Sequence, residues 1–211
     1  MESKRGEIKD KSPRMLEQSR YKVGSEVLAK AFYNDPLLIS ILRGLDAEKR
    51  LGRLKLVFEL TLKTLGPKRL PLTIEQANQI YGVALIHPPG TYPPSFLSYF
   101  YILSNAVLRK GFYGLGRWFK WSRSIRKRHP IEPHYYLEFI GVDPPFQRQG
   151  IGSLMLKHIV GLTDREGMSC YLETANPNNL PFYQRFGFEM IGEERIIGVP
   201  IWFMKRPSLP L

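Results

Sequence analysis

A chain of 211 residues, 43% of them hydrophobic, is long enough to close a full core and too apolar for a disordered polymer. No apolar run reaches the roughly 20 residues that span a bilayer. The opening Met1-Glu2-Ser3-Lys4-Arg5-Gly6 has no apolar stretch of a secretory signal, and the lone Cys170 excludes an intrachain disulfide. A cytoplasmic protein with no integral membrane segment is expected. The net charge of +12 favours a polyanionic partner without choosing among nucleic acid, an anionic membrane surface and a phosphorylated ligand.

Residues 1–20 are polar and charged and read as a flexible lead-in, with residues 21–211 as one domain. Val27, Leu28, Ala31 and Phe32 space a helix over about 24–33, which Asn34-Asp35-Pro36 should stop. Leu37 to Leu42 adds a helical turn or two. Leu51, Leu54, Phe58, Leu62 and Leu65 make 46–65 the clearest amphipathic helix, closed by Gly66-Pro67. Ile80 to His87 reads as a strand before the Pro88-Pro89-Gly90 turn. A mostly helical stretch should run from about 94 to 128. From Tyr135 the order is strand, glycine loop, helix to about Glu166, strand (Ser169–Thr174), short helix (Leu180–Phe186) and two strands (Phe188–Glu194, Trp202–Lys205).

Gln147-Arg148-Gln149-Gly150-Ile151-Gly152 lies between the strand Tyr135 to Val142 and a helix beginning near Ser153. Loop N–H groups and a helix N-terminus together suit an anionic group. Glycines at 150 and 152 would let a phosphate approach the backbone. Simple alternation puts Glu138, Ile140 and Val142 on one strand face. Asp143-Pro144-Pro145 must end that strand, and a parallel neighbour diverging near this point would leave main-chain groups from Ile140 to Val142 open to an extended amide ligand. Each feature also has a plain structural reading, as a tight turn or an ordinary strand end.

Residues Glu138 to Gly152 together with Leu172-Glu173-Thr174-Ala175-Asn176-Pro177-Asn178-Asn179-Leu180-Pro181-Phe182-Tyr183-Gln184-Arg185-Phe186-Gly187-Phe188 resemble the GCN5-related N-acetyltransferase (GNAT) superfamily. The second stretch looks especially like the puromycin N-acetyltransferase group and its bacterial relatives. The resemblance is dense over about 134–205 and looser at Ala31-Phe32 to Pro36 and Gly82 to Gly90. It implies an α/β fold of the α+β mixed kind: a central, mostly antiparallel sheet with one splayed parallel strand pair, flanked by helices. It implies acetyl-CoA as donor and an amine as acceptor. Gln147, Gly150 and Gly152 match the pyrophosphate-binding signature, with Arg148, Gln149, Ile151 and Ser153 as further loop contacts. Ile140, Gly141 and Val142 match the strand that pairs with the pantetheine arm. Asn176 and Asn179 lie where relatives touch CoA, and Tyr183 matches the tyrosine beside the thioester sulfur.

A departing thiolate needs a proton or a hydrogen bond, which a phenol supplies, so Tyr183 is the candidate acid. An amine acceptor is mostly protonated near neutral pH, so something must take its proton. Glu138 is the first candidate base and Glu173 the alternative, although the puromycin-type pattern has a small residue in place of Glu138. His87, His129, His134 and His158 show no metal-ligand spacing, and no metal is expected. His134 precedes the strand and either reaches the acceptor or serves a structural hydrogen bond.

Residues 109–128 carry Arg109, Lys110, Arg117, Lys120, Arg123, Arg126, Lys127 and Arg128 and no acid. Phe112, Leu115, Phe119 and Ser122 follow helical spacing. A core-packed helix with a solvated basic face is favoured over one lying on nucleic acid or an anionic membrane. The expected activity is acetyl transfer from acetyl-CoA to an amine-bearing small molecule by direct attack in a ternary complex, in a monomer or homodimer. The alternatives are a protein or peptide N-acetyltransferase, and a non-catalytic acyl-CoA-binding or nucleic-acid-associated module on the same fold.

Overall fold

Asp35 and Asp46 open two of the helices by the same device: each carboxylate accepts the N–H three residues on, from Leu38 at 3.1 Å and Lys49 at 2.8 Å. They begin α2 (Pro36–Ile41) and α3 (Ala47–Lys63), which follow α1 (Tyr21–Ala31). The computed structural model describes residues 11–64, 69–93, 104, 105, 108 and 113–208. Gly66-Pro67, expected to end the third helix, lies outside them.

A short strand β1 (Arg14–Met15) pairs with β2 (Leu70–Gln76), and Leu16 beside it is buried. Residues 11–20 therefore do not form the loose lead-in expected of them, because Leu16 has a pocket in the core. β2 itself carries no clear sequence signal. It turns into β3 (Gln79–His87) through Ala77 and Asn78, both at positive φ, a tight hairpin without the usual glycine.

Beyond these lie α4 (Leu115–Arg128), β4 (Tyr135–Val142), α5 (Ile151–Arg165), β5 (Cys170–Thr174), α6 (Leu180–Gln184), β6 (Glu189–Ile196) and β7 (Val199–Arg206). The sheet order is β1-β2-β3-β4-β5-β7-β6, antiparallel except for β4 beside β5. This is the mixed, helix-flanked sheet expected from the sequence.

The two faces have separate cores. α5 and α6 pack on one face, where Leu137, Met155, Ile159, Leu172, Tyr183 and Phe188 share a cluster. α1 and α3 cover the other beside β3 and β4, through Leu28, Leu54, Phe58, Val83 and Phe139. α4 covers that second face farther along, with Ile125 against Tyr136, Tyr171 and Phe203. Its buried residues are Ser122 and Ile125, with Trp118 and Trp121 packed inward, so the helix is core-packed and basic outside. Phe119, expected on the inner stripe, is 48% exposed, because that stripe runs through the two tryptophans. Arg109, Lys110 and Phe112 lie outside the described residues.

Candidate functional site

The pairing between β4 and β5 is brief. Only Tyr135 with Cys170 and Tyr136 with Tyr171 are in register, so the strands part after Tyr136, earlier than the proline break that the sequence suggested. Asp143 N–H bonds Tyr81 C=O at 2.8 Å, which turns the main chain of Asp143 and Gly141 toward β3. Ile140 and Val142 then point their N–H and C=O groups the other way, into the gap.

Alternation along β4 is broken once. Leu85 pairs with Phe139 and Ile86 with Leu137, so Glu138 is the extra residue of a bulge. Its effect is to place Leu137, Ile140 and Val142 in the α5-side core. Glu138 does not share a face with Ile140 and Val142, as unbroken alternation would require. It turns toward β3, and its carboxylate accepts from His87 Nε2 at 2.5 Å.

At the open end of β4 the loop from Gln147 to Ser153 is shaped by two left-handed residues, Arg148 at φ 61 and Gly150 at φ 81. Such alternation turns successive N–H groups to one side. The first N–H groups of α5, at Ile151, Gly152 and Ser153, have no intrahelical acceptor. A Cβ built on Gly150 meets no atom within 4 Å, and one on Gly152 touches Phe182 and Val142 only at 3.7 Å. The space beside both glycines is therefore not filled by the protein. Gln147 uses its amide to donate to Val142 C=O at 3.0 Å, and Gln149 donates to Pro145 C=O at 3.3 Å, so both brace the loop. Gly141 has a different reason: a Cβ there would lie 2.9 Å from Ala31 Cβ, so glycine lets α1 press on β4.

Across the gap, Asn176 Oδ1 accepts from Asn178 N–H at 3.1 Å and Asn179 Nδ2 reaches Thr174 Oγ1 at 3.4 Å, building the turn from β5 into α6. That turn delivers Tyr183 to the α5 side of the opening, 7% exposed and edge-on to Phe182 and Phe188. Burial, with the Asp35 carboxylate and Cys170 adding to it, pushes the phenol well above its ordinary range. Tyr183 stays protonated throughout the neutral range.

The opposite face of the opening carries a polar cluster that sequence spacing did not reveal, since its members come from the connection between α4 and β4, from β4 and from β5. Glu173 on β5 is nearly buried, and burial raises its carboxyl from 4.5 to about 7; the neighbouring Tyr136 and Tyr171 phenols pull it down, and Glu138 pushes it up. Its Oε1 lies 4.0 Å from His129 Nδ1. His129 Nε2 faces His134 Nε2 at 3.0 Å, and His134 Nδ1 donates to Glu132 C=O at 2.6 Å. Burial holds both rings below the ordinary histidine value, His129 at about 4. His134 therefore has the structural bond weighed for it. Among the described residues no group of acids, histidines or cysteine has the geometry of a metal site, and no helix is long and apolar enough to cross a membrane.

Residues 55–188 match the sequence model described as the Acetyltransferase (GNAT) family. An uncharacterized N-acetyltransferase of Schizosaccharomyces pombe is 25% identical over 191 residues, 82% of this chain and 72% of its own length. N-alpha-acetyltransferase 50 of Danio rerio is 33% identical over 60 residues, 26% of this chain and 36% of its own. Among solved structures, histone acetyltransferase HPA2 and related acetyltransferase from Corynebacterium glutamicum superposes with a TM-score of 0.68 at 20% identity, covering 95% of this chain and 97% of that one. The ribosomal-protein-S18-alanine N-acetyltransferase of Escherichia coli gives a TM-score of 0.55 at 14% identity, covering 95% of each chain.

Proposed function

The chain belongs to the GNAT family of acetyltransferases, and from that premise we propose that it moves the acetyl group of acetyl-CoA to a primary amine of a small molecule by direct attack in a ternary complex. The observation that carries this reading is the flanking of one strand opening by an acid and a base. Tyr183 stands on the α5 face of the β4–β5 gap, and Glu173 on the α4 face.

The chain fits acetyl-CoA at three places. The N–H groups of Ile151, Gly152 and Ser153, with the turned loop of Arg148, Gln149 and Gly150, cradle a pyrophosphate, and the space beside Gly150 and Gly152 admits it. Gln147 supports the loop from behind. Ile140 and Val142 offer main-chain groups to the pantetheine amides, while Gly141 allows the strand its close seat under α1. Asn176 and Asn179 shape the far wall.

Acetyl-CoA, when bound, supplies an activated thioester whose C–S bond breaks as the new C–N bond forms. Glu173 takes the proton that the amine must lose, its carboxyl tuned close to the pH at which it works. Tyr183 donates to the sulfur that becomes a thiolate. Main-chain N–H groups of Ile140 and Val142 face the gap and supply an oxyanion site. No serine or cysteine nucleophile is needed, since both substrates are held together. Glu173 replaces Glu138 as the base in this reading, because Glu138 is tied to His87. A second reading, with a peptide or protein N-terminus as the acceptor, is favoured by the 33% identity to N-alpha-acetyltransferase 50 over 60 residues.

The test is a thermal shift with CoA and acetyl-CoA followed by thiol release over a panel of amines and peptides. Stabilisation of several degrees at millimolar CoA is expected by mass action. An unchanged melting curve would sink the donor assignment, and thiol release with peptides alone would move the acceptor to the second reading.

A further inference from the structure

α4 carries six cations and no acid in its fourteen residues. Two of the six have work inside the fold. Arg117 donates to the carbonyls of Ile41 and Arg43, and Arg128 pairs with the Glu194 carboxylate. Lys120, Arg123 and Lys127 are exposed, and none has a hydrogen bond or ion pair with another described residue. Large apolar side chains are exposed beside them. Tyr113 precedes the helix, Phe119 lies on it, and the fully exposed Ile131 follows it.

Positions 120, 123 and 127 fall on one stripe of a helix, which seven residues at 1.5 Å each extend over about 10 Å. The stripe is turned away from Trp118, Trp121, Ser122 and Ile125, which seat α4 on the protein. Phe119 borders it, one helical turn from Arg123. The seated inner face therefore displays a fixed row of cations with an aromatic ring at its edge. Such a row alone fits any polyanion. The apolar side chains sort the choice. Ile131 is aliphatic, so it neither pairs with a phosphate nor stacks on a base as an aromatic ring does. Ile131 and Phe119 both gain by entering the headgroup layer of a bilayer, and Tyr113 suits its boundary. A nucleic-acid groove is entered by a projecting helix, whereas α4 lies along the protein for most of its length.

We propose that the outer face of α4 docks the protein on an anionic phospholipid surface, with Lys120, Arg123 and Lys127 at the headgroups and Phe119 set into the layer beside them. The docking is peripheral. Among the described residues no helix is long and apolar enough to cross a bilayer, and α4 keeps its apolar stripe inside the protein. Charge complementarity carries the choice of partner: three cations without a protein partner, on a chain of net charge +12, meet a negative surface. Each cation held near such a surface strengthens binding about five-fold, so three contribute on the order of 100-fold, and salt screens that gain. Phe119 adds a share that salt does not remove. None of these four residues takes part in the proposed acetyl transfer, so the two readings stand or fall separately.

The test is sedimentation of the full chain with phosphatidylcholine vesicles, with and without about one-third phosphatidylserine. Binding to the anionic vesicles should be at least about ten-fold tighter than to the neutral ones at low salt, and should be mostly lost near about 0.5 M salt. Lys120→Gln, Arg123→Gln and Lys127→Gln combined should weaken it by about 30-fold or more. Phe119→Ser should weaken it several-fold and leave the salt dependence as it was. All four positions are exposed, so both variants should keep the parent's Tm. Mixed-sequence duplex DNA and single-stranded RNA are the competing polyanions. The proposal is overturned if anionic and neutral vesicles bind alike, or if the triple variant stays within about two-fold of the parent. It is overturned as well if Phe119→Ser binds as the parent does, or if either nucleic acid binds more tightly than the anionic vesicles at equal salt.

Discussion

Glu138 and His87 are joined across the β3–β4 pair by a 2.5 Å contact, with His87 wholly buried. The β-bulge at Glu138 creates this pairing: it carries the side chain off the face of Ile140 and Val142 and hands it to the next strand. In the proposed mechanism Glu138 is therefore a brace and Glu173 takes the proton. Glu138→Gln keeps an acceptor for the imidazole and should lower kcat only a few-fold. Glu173→Gln should lower it by about 100-fold or more, the usual scale for losing a general base. Steady-state kinetics of both variants, at saturating acetyl-CoA, decides the assignment. Equal losses would return Glu138 to the reaction.

In the proposed mechanism the carboxyl of Glu173, raised to about 7 mainly by burial, gives the activity a pH signature. A base works when ionised, so kcat/KM should climb about ten-fold per pH unit below 7 and level off above it. Stability runs the other way. The unfolded carboxyl loses its proton near 4.5 while the folded one keeps it to about 7. The unfolded state then binds fewer protons in that window, so this group's contribution to stability falls as pH rises from 4.5 to 7 and is constant beyond. Glu173→Gln should therefore flatten the acid limb of the rate profile and raise Tm at pH 8 relative to the parent. A rate profile that keeps its limb in the variant would exclude Glu173 as its source.

Tyr183 tests the acid role on its own. Its phenol is held protonated by burial, and the ring is fixed by Phe182 and Phe188. Tyr183→Phe removes only the hydroxyl and keeps the ring contacts. A drop in kcat of about 100-fold with little change in the KM for acetyl-CoA is expected. Acceptors with more reactive amines should not recover the rate, because the deficit lies at the departing sulfur. Unchanged turnover would reduce Tyr183 to a packing residue.

The strand–loop–helix unit around Gln147 to Gly152 was legible because its signals are local: a β-rich run, two prolines, two glycines and an apolar helix face follow one another. The Asn176 to Tyr183 turn was legible for the same reason. The base was not. A bulge arises from the pairing of β4 with β3, and nothing within Tyr135 to Val142 marks where the extra residue falls. The cluster of His87, His129, His134 and Glu173 depends on three segments meeting, the end of β3, the connection between α4 and β4, and β5, and no spacing along the chain encodes that. β2 was hidden by Pro71 and by an Ala77-Asn78 turn that lacks glycine. Leu16 was hidden because one apolar residue among charges has no period.

Gly152 and Gly141 both lie on the donor side of the proposed site, and their surroundings give them opposite tests. At Gly152 a new Cβ meets protein only at ordinary contact distance, 3.7 Å. Gly152→Ala should leave the melting temperature within a degree or two, since it creates no overlap and helical alanine is favourable by up to about 1 kcal/mol. It should weaken CoA binding several-fold by filling the space proposed for the pyrophosphate. At Gly141 a Cβ would press on Ala31 Cβ at 2.9 Å, Leu28 at 3.1 Å and Phe32 at 3.2 Å. α1 must then move off β4, at a cost of about 1–3 kcal/mol for an overpacked core. Gly141→Ala should lower Tm by several degrees, and any loss of CoA affinity should follow that destabilisation. Calorimetry and CoA titration of the two variants separate a glycine kept for a ligand from one kept for a helix. A destabilised Gly152→Ala with normal CoA affinity would remove the cradle from the donor site.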